Sequence, residues 1–374
     1  NRLAVKVILV GPIYPYRGGI AHFTEGLADA IREAGIDLEL VSYKKLYPKL
    51  FFPGKTDKEM DEKKPDPSAN FIYSPFDPVD WLKTWKFIHT NKPDLVIFQW
   101  WVTAWSFAYS YMFGKLTRAG IPFRVLVHNA IPHEVKWYDV FLARKVFSCV
   151  KEVVCLAESQ KVKLEQRLDY KGRVCVTPHP IYKGFGPSKK SREEFITGLG
   201  ISQDQKIVLF FGFVRPYKGL EDLIEAIGLL RRKKVPVTLI VAGEFWMKED
   251  GFRDQIDRLG IEDYVKIVNK YIPDYEVADY FDHADLFVAP YNAGTQSGAL
   301  KLAMGYGLPA VITSVIKDES LSEDQEGIYF AHPSCPSDLA DQIERALMKK
   351  NHVLSYHLGK DFLWQEILKV LCFN

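Results

Sequence analysis

Two cations stand three residues apart in IVLFFGFVRPYKGL, residues 207–220. Ahead of Arg215 and Lys218, the β-branched and aromatic run Ile207 to Phe211 reads as a buried parallel strand that ends at Gly212. Behind them Gly219 opens a helical pattern through Leu223, Ile224, Ile227 and Leu230. Strand, glycine, cations and helix start together make an anion site, because the N–H groups and dipole of the helix favour negative charge. Arg grips a phosphate with a planar fork, and Lys adds a point charge. The plainer reading is a solvated basic turn. A second stretch, APYNAGTQSGALKLAMGYGLPAVIT at 289–313, argues for the anion. Its strand ends at Pro290, and Asn292, Gly294, Thr295, Gln296, Ser297 and Gly298 lead into another helix, a cradle of hydroxyls and N–H groups. Both loops fall at carboxyl ends of strands of one sheet, so they are expected to converge on a diphosphate. No Asp-x-Asp occurs in the chain. Protein cations rather than Mg²⁺ then balance the charge, with no metal and no cofactor expected.

The first loop of the chain, GPIYPYRGGI, lacks the G-x-G-x-x-G fingerprint. Gly18 and Gly19 nevertheless sit where a helix follows the first strand, so the backbone can approach a phosphate or sugar there; the alternative is an ordinary turn. His128 follows the strand 123–127 in LVHNAIPHE. A histidine at a carboxyl strand end can donate to a sugar hydroxyl or hold a developing charge, or it can simply bond the loop backbone. A metal set of His128, His133 and Glu134 is disfavoured, because the H-E-x-x-H spacing is missing and Pro132 opposes a helix. His179, in TPHP, is expected only to shape a turn.

The elements that must carry these residues alternate. Strands are expected at 5–10, 38–41, 95–99, 123–127, 153–157 and 174–177, with helices at 20–34, 81–90, 104–119, 138–150 and 160–168. Residues 43–78 keep no period and read as a long excursion, and 181–205 read as a linker. The pattern then restarts, with strands at 207–211, 237–241, 264–268, 286–289 and 309–313 and helices at 220–233, 251–259, 274–283, 297–306 and 337–350, before a tail helix at 353–371. Two doubly wound α/β domains follow, with a ligand expected in a crevice between them. Their spans are 1–182, 183–352 and, for the tail, 353–374.

Composition narrows the field. At 374 residues, 47% hydrophobic, 26% charged and a net charge of +2, the chain reads as a globular protein with no concentrated basic face for nucleic acid. Its five cysteines form no C-x-x-C pair, which favours free thiols and a reducing, cytoplasmic setting. The opening NRLAVKVILV runs straight into a strand with no separate signal peptide, a leader already removed being the alternative, and no membrane-length apolar run is expected.

The motifs GPIYPYRGGIAHFTEGLADAI, His128 after a strand, GFVRPYKGL and AMGYGLPAVIT resemble the GT-B glycosyltransferases of the large retaining group, family four (group 1). The resemblance covers essentially the whole chain and implies two Rossmann-like domains facing a central cleft. It implies a nucleotide-sugar donor held mainly by the second domain and a glycan, lipid-linked or small-molecule acceptor held by the first. Arg215 and Lys218 would hold the diphosphate, with Gly212 beside them, and His128 would meet the sugar. Tyr271 and Ile272, in NKYIPDYEVADYF, would flank the base, and Glu244, in VAGEFW, is a weaker polar contact. The family's Glu-x7-Glu is absent: Gly294 and Leu302 stand at those two places. TQSG fills the loop, which resembles a subgroup reading the donor through Thr295, Gln296, Ser297 and Gly298. Alternatives are a non-catalytic nucleotide-sugar binder or an epimerase of the same fold. The lysine-and-aromatic run YKKLYPKLFFPGK at 43–55, with Phe71, Tyr73, Phe76, Trp81 and Trp85, could rest on the inner face of an anionic membrane, or its rings could pack as a satellite core.

Overall fold

The computed structural model describes residues 5–46, 58, 64–132, 135–182, 184–294, 296–317, 321, 327–349 and 360–373. The chain divides into two compact units, 1–179 with 361–374, and 180–360.

The first unit alternates β1 (Lys6–Val10), α1 (Gly19–Glu33), β2 (Asp37–Tyr43), β3 (Ala69–Tyr73), α2 (Pro78–Asn91), β4 (Leu95–Trp100) and α3 (Ser106–Ala119). It continues through β5 (Phe123–Val127), α4 (Asp139–Phe147), β6 (Glu152–Cys155), α5 (Glu158–Arg167) and β7 (Arg173–Val176). The strands form one sheet in the order β3-β2-β1-β4-β5-β6-β7, and every neighbouring pair is parallel. All six residues of β4 are buried, as a central parallel strand covered on both faces requires. The stripe Ala21, Phe23, Leu27, Ala28 and Ile31 buries one side of α1. Each large member of such a stripe contributes roughly 1.5–3 kcal/mol.

The second unit holds α6 (Arg192–Gly198), β8 (Lys206–Phe211), α7 (Leu220–Arg232), β9 (Val237–Ala242), α8 (Asp250–Leu259), β10 (Val265–Val268) and α9 (Asp274–His283). It closes with β11 (Leu286–Ala289), α10 (Gly298–Gly305), β12 (Ala310–Thr313), β13 (Ile328–Ala331) and α11 (Pro336–Met348). Its sheet order is β10-β9-β8-β11-β12-β13. In each unit the strand order reverses once, at β1/β4 and at β8/β11, and the carboxyl ends there are where an open α/β sheet takes a ligand.

Three elements depart from the sequence pattern. The excursion at 43–78 contains β3, which adds to the edge of the sheet beside β2. Tyr43 and Tyr73 are fully buried there and stacked at 5.5 Å, and the Tyr43 hydroxyl meets that of Tyr109 at 3.1 Å. Phe71, Trp81 and Trp85 pack partly buried against this core, so these rings follow the satellite-core reading, whereas Phe76 is exposed and Phe51 and Phe52 lie outside the described residues. The expected linker contains α6, started by a capping box in which Ser191 and Glu194 exchange hydrogen bonds. The strand β13 is also additional to the sequence pattern.

At the other end of the chain, α12 (Lys360–Leu368) runs into a π-helical turn at Lys369–Phe373; 353–359 lie outside the described residues. Trp364 packs in the groove left by Gly26, whose missing Cβ would sit 2.5 Å from the indole. The Arg124 guanidinium donates to the carbonyls of Val370 and Leu371 at 3.1 and 2.6 Å.

Candidate active site

In the second unit, the loop after β8 is held in a conformation few residues adopt. Gly212 has φ 103° and Gly219 φ 66°, both in the region that disfavours a side chain. At Gly212 a Cβ would lie 3.4 Å from Lys218 Nζ, and at Gly219 it would lie 2.0 Å from the carbonyl oxygen of Pro290. The loop after β11 therefore presses directly on the loop after β8, and Asn292 N–H donates to Tyr217 O at 2.8 Å. Asn292 Nδ2 also donates to Asp222, in the first turn of α7, at 2.9 Å. On the opposite side Val214 N–H donates to Glu244 O and Trp246 N–H to Val214 O, at 2.9 and 3.0 Å, joining the ends of β8 and β9.

These contacts bring the cations to the β8/β11 switch point. Lys218 is 9% exposed, with Nζ 5.3 Å from the centre of the Tyr291 ring. Burial, reinforced by the Arg215 charge, holds the Lys218 pKa below the ordinary lysine value. Arg215 lies 5.4 Å from the Trp246 ring and 5.7 Å from that of Tyr217, within cation–π range. Ser297 caps α10, accepting from Leu300 N–H at 3.2 Å, and its Oγ is 3.2 Å from the Tyr291 hydroxyl. Burial pushes the Tyr291 phenol up to about 12. A lysine, an arginine and a capped helix start thus meet around Tyr291 and the 212–219 loop. Gln296 immediately precedes the cap, Gly298 is the first residue of α10, and Thr295 lies outside the described residues.

Tyr271 and Ile272 separate in role. Ile272 is 4% exposed and has little surface to offer a ligand, whereas Tyr271 belongs to an aromatic row. Phe213 lies 4.4 Å from Trp246 and 6.3 Å from Tyr271, all at similar tilt. Contacts therefore run Arg215–Trp246–Phe213–Tyr271. Phe213 and Trp246 carry no motif in the sequence; they stand two and four positions past the ends of β8 and β9. Glu244 is 8% exposed at the end of β9. Of the two places of the missing carboxylate pair, Leu302 is buried and Gly294 has φ 134°.

In the first unit, Gly18 caps α1 at φ 101°, and a Cβ at Gly19 would meet nothing within 4 Å. His128 is held by the neighbouring strand through His128 N–H to Trp100 O at 2.9 Å. Its Nε2 lies 2.8 Å from Gln99 Oε1. Gln99 Nε2 donates to Thr24 Oγ1 at 2.8 Å, and Thr24 donates to Ile20 O at 2.7 Å. Burial, with His179 nearby adding to it, pushes the His128 pKa down to about 3. His179 does more than shape a turn: the edges of Phe23 meet both His128 and His179, at 4.8 and 5.4 Å. Gln99 and Thr24 carried no signal in the sequence, since one sits inside an apolar strand and the other on a buried helix stripe. His133 and Glu134 lie outside the described residues, and among the described residues no group of three or more His, Cys, Asp or Glu could hold a metal ion.

Comparison with known proteins bears on the family and the fold. Residues 17–182 match a family model described as glycosyltransferase family 4, and 205–349 match one described as glycosyl transferases group 1. Together the two cover most of the chain. The glycosyltransferase YtcC of Bacillus subtilis is 26% identical over 171 residues, 44% of this chain and 40% of its own length. TuaC of the same organism, a glycosyltransferase named for teichuronic acid biosynthesis, is 27% identical over 233 residues, 61% of this chain and 55% of its own. The chain thus spans about half the length, or less, of these relatives. Among solved structures, sucrose-phosphate synthase from Thermosynechococcus elongatus superposes with TM-score 0.68 at 14% identity, covering 98% of this chain and 94% of its own. Anabaena HepE in complex with UDP and glucose gives 0.65 at 15%, covering 98% and 95%. The fold is that of GT-B glycosyltransferases, two parallel-sheet α/β domains.

Proposed function

We propose, for a chain that belongs to the group 1 glycosyltransferases, that it moves a hexosyl-type sugar from a nucleoside-diphosphate sugar to a hydroxyl acceptor with retention at the anomeric carbon and without metal. The observation that carries this reading is the pairing of Lys218 and Arg215 with the capped start of α10, next to the aromatic row Trp246–Phe213–Tyr271. Two cations and a helix start suit a diphosphate, and a row of rings suits a base. UDP in the HepE complex supports a uridine donor.

In the proposed reaction the bond from the anomeric carbon to the diphosphate breaks first, and negative charge grows on the leaving oxygen. Lys218, Arg215 and the α10 N–H groups stabilise that charge, which lowers the barrier only because it is larger in the transition state than in the substrate. The leaving oxygen takes the acceptor's proton while the acceptor oxygen bonds to the same face. His128 holds a substrate hydroxyl. In this reading Gln296, Ser297 and Gly298, with Thr295, form the donor loop of a TQSG subgroup.

The acceptor is proposed to be a glycan or a lipid-linked saccharide on an anionic membrane surface. Phe107, Trp137 and Phe141 are 64%, 91% and 68% exposed, at the starts of α3 and α4, which Thr103 ties together by a hydrogen bond to Asp139. Lys136, Arg144 and Lys145, near Trp137 and Phe141 in sequence, are also exposed, and in this reading the rings and cations would meet the membrane together. No helix among the described residues is long and apolar enough to cross a membrane. Sedimentation with liposomes of rising anionic content tests this: binding lost in Trp137→Ser/Phe141→Ser supports it, and no binding at low salt points to a free glycan or small-molecule acceptor.

The donor test is incubation with UDP-glucose, UDP-galactose, GDP-mannose and ADP-glucose, with and without excess chelator. Slow release of sugar and nucleoside diphosphate, undiminished by chelator, supports metal-free transfer. A changed sugar on an intact nucleotide means an epimerase, and tight binding without turnover on any acceptor means a binding protein.

A further inference from the structure

His128 is reached from the interior by three hydrogen bonds whose directions follow from the far end of the chain. A backbone carbonyl only accepts, so at 2.7 Å from Ile20 O the Thr24 hydroxyl must be the donor. Having given its one proton there, Thr24 Oγ1 accepts from Gln99 Nε2, 2.8 Å away. That orients the amide and turns Gln99 Oε1 toward His128 Nε2 at 2.8 Å. An amide oxygen cannot donate, so Nε2 carries the proton. Burial keeps the ring neutral, and a neutral imidazole has a single N–H, which leaves Nδ1 as a bare lone pair.

We propose that Thr24 and Gln99 are positioning residues that lock His128 in the Nε2–H tautomer, so that Nδ1 accepts a hydrogen bond from a sugar hydroxyl. This rests on reading His128 as a substrate contact. Thr24 and Gln99 are both fully buried, so water does not compete for the relay. Its packing is tight: a Cβ on Gly11 would lie 2.0 Å from Gln99 Nε2 and 2.9 Å from Thr24. Phe23 meets the imidazole edge-on at 4.8 Å and 88°, which resists ring rotation. With Nε2 committed to Gln99, His128 neither donates to the sugar nor shares positive charge with the reacting centre. It selects a hydroxyl that has a proton to give, and a fluorine in the hydroxyl's place is rejected because Nδ1 is then left unpaired.

The test uses the full chain with ¹⁵N-labelled histidine and long-range proton–nitrogen correlation, with His128 assigned by its loss in His128→Asn. The expected spectrum has Nε2 protonated and Nδ1 unprotonated from pH 5 to 8, with no ligand needed. Thr24→Val keeps the shape but not the hydroxyl, so the Gln99 amide is released and the tautomer becomes mixed, while Thr24→Ser retains it. Turnover of the best nucleotide sugar in the panel above is expected to fall about tenfold in Thr24→Val and Gln99→Leu, the scale of one hydrogen bond, and to recover in Thr24→Ser. A protonated Nδ1 in the unsubstituted protein overturns the proposal outright. If the tautomer shifts in Thr24→Val yet turnover is unchanged, the relay has no role, and the transferase reading stands. If no nucleotide sugar turns over in any form of the protein, that reading fails instead, and the locked tautomer in the spectrum still supports the relay.

Discussion

The two switch points prepare for a ligand in opposite ways. At β1/β4 the relay from Ile20 to His128 is internally satisfied: every bond is made, the groups are neutral, and burial costs little. At β8/β11 Lys218 is almost fully buried, and burial together with the Arg215 charge disfavours its ammonium form, so a bound anion would stabilise it. In the proposed reaction the first face offers a fixed neutral acceptor, and the second offers positive charge. A transferase built this way reads hydroxyl pattern with rigid neutral geometry and supplies charge where charge develops.

The largest expected effect is on the second face. Lys218→Ala and Arg215→Ala should each lower kcat/KM for the donor on the order of 10²–10³. The double substitution should cost much less than the product if both hold one phosphate group. Near-normal turnover in both single variants would place the chemistry elsewhere. The pH profile sharpens this. Because the Lys218 pKa is lowered, its ammonium loses its proton at lower pH than an exposed lysine, so kcat/KM for the donor should decline on the alkaline side earlier than usual. Lys218→Arg should remove that limb.

Next in size is a steric attack on the first face. Gly11→Ala drives a methyl into Gln99 and Thr24 and should cost about 1–3 kcal/mol of stability. The measurement is denaturant unfolding; an unchanged midpoint would mean that the relay is loosely packed. Smaller again is the aromatic row: Trp246→Ala should weaken UDP binding by about 0.5–1.5 kcal/mol, the worth of one ring pair. Calorimetric titration reads this, and an unaffected affinity would remove the base from that row. The smallest expected effect is none at all. With its pKa near 3, His128 should contribute no step to the rate between pH 5 and 8; a limb in that range that vanishes in His128→Asn breaks the contrast between the faces.

The alternation of strands and helices was legible because parallel strands such as the one holding Ile207–Phe211 carry unbroken apolar runs and helices such as Leu220–Arg232 keep a clear stripe. What escaped was short or masked. Ala69–Tyr73 is five residues following a polar, proline-bearing stretch, and Ile328–Ala331 is four. Arg192–Gly198 has only seven residues, although its Ser191-x-x-Glu194 capping box was there to read. For the site, glycines and cations in loops announced the second face. The first face could not be read in the same way, because the orientation of His128 is set by Gln99, 29 positions earlier, and by Thr24, 75 positions before Gln99. Nothing local in LVHNAIPHE carries that information.

The close approach of Gly219 to Pro290 has a bearing on enzyme engineering. With no room for a methyl between them and Asn292 bonded to Tyr217 O, the segments 212–219 and 290–294 form a single replaceable part. A graft intended to change the donor has to carry both segments from the same parent. A swap of only one pairs mismatched backbones at a contact that leaves no slack, and the expected outcome is a misfolded or inactive chimera rather than a shifted preference.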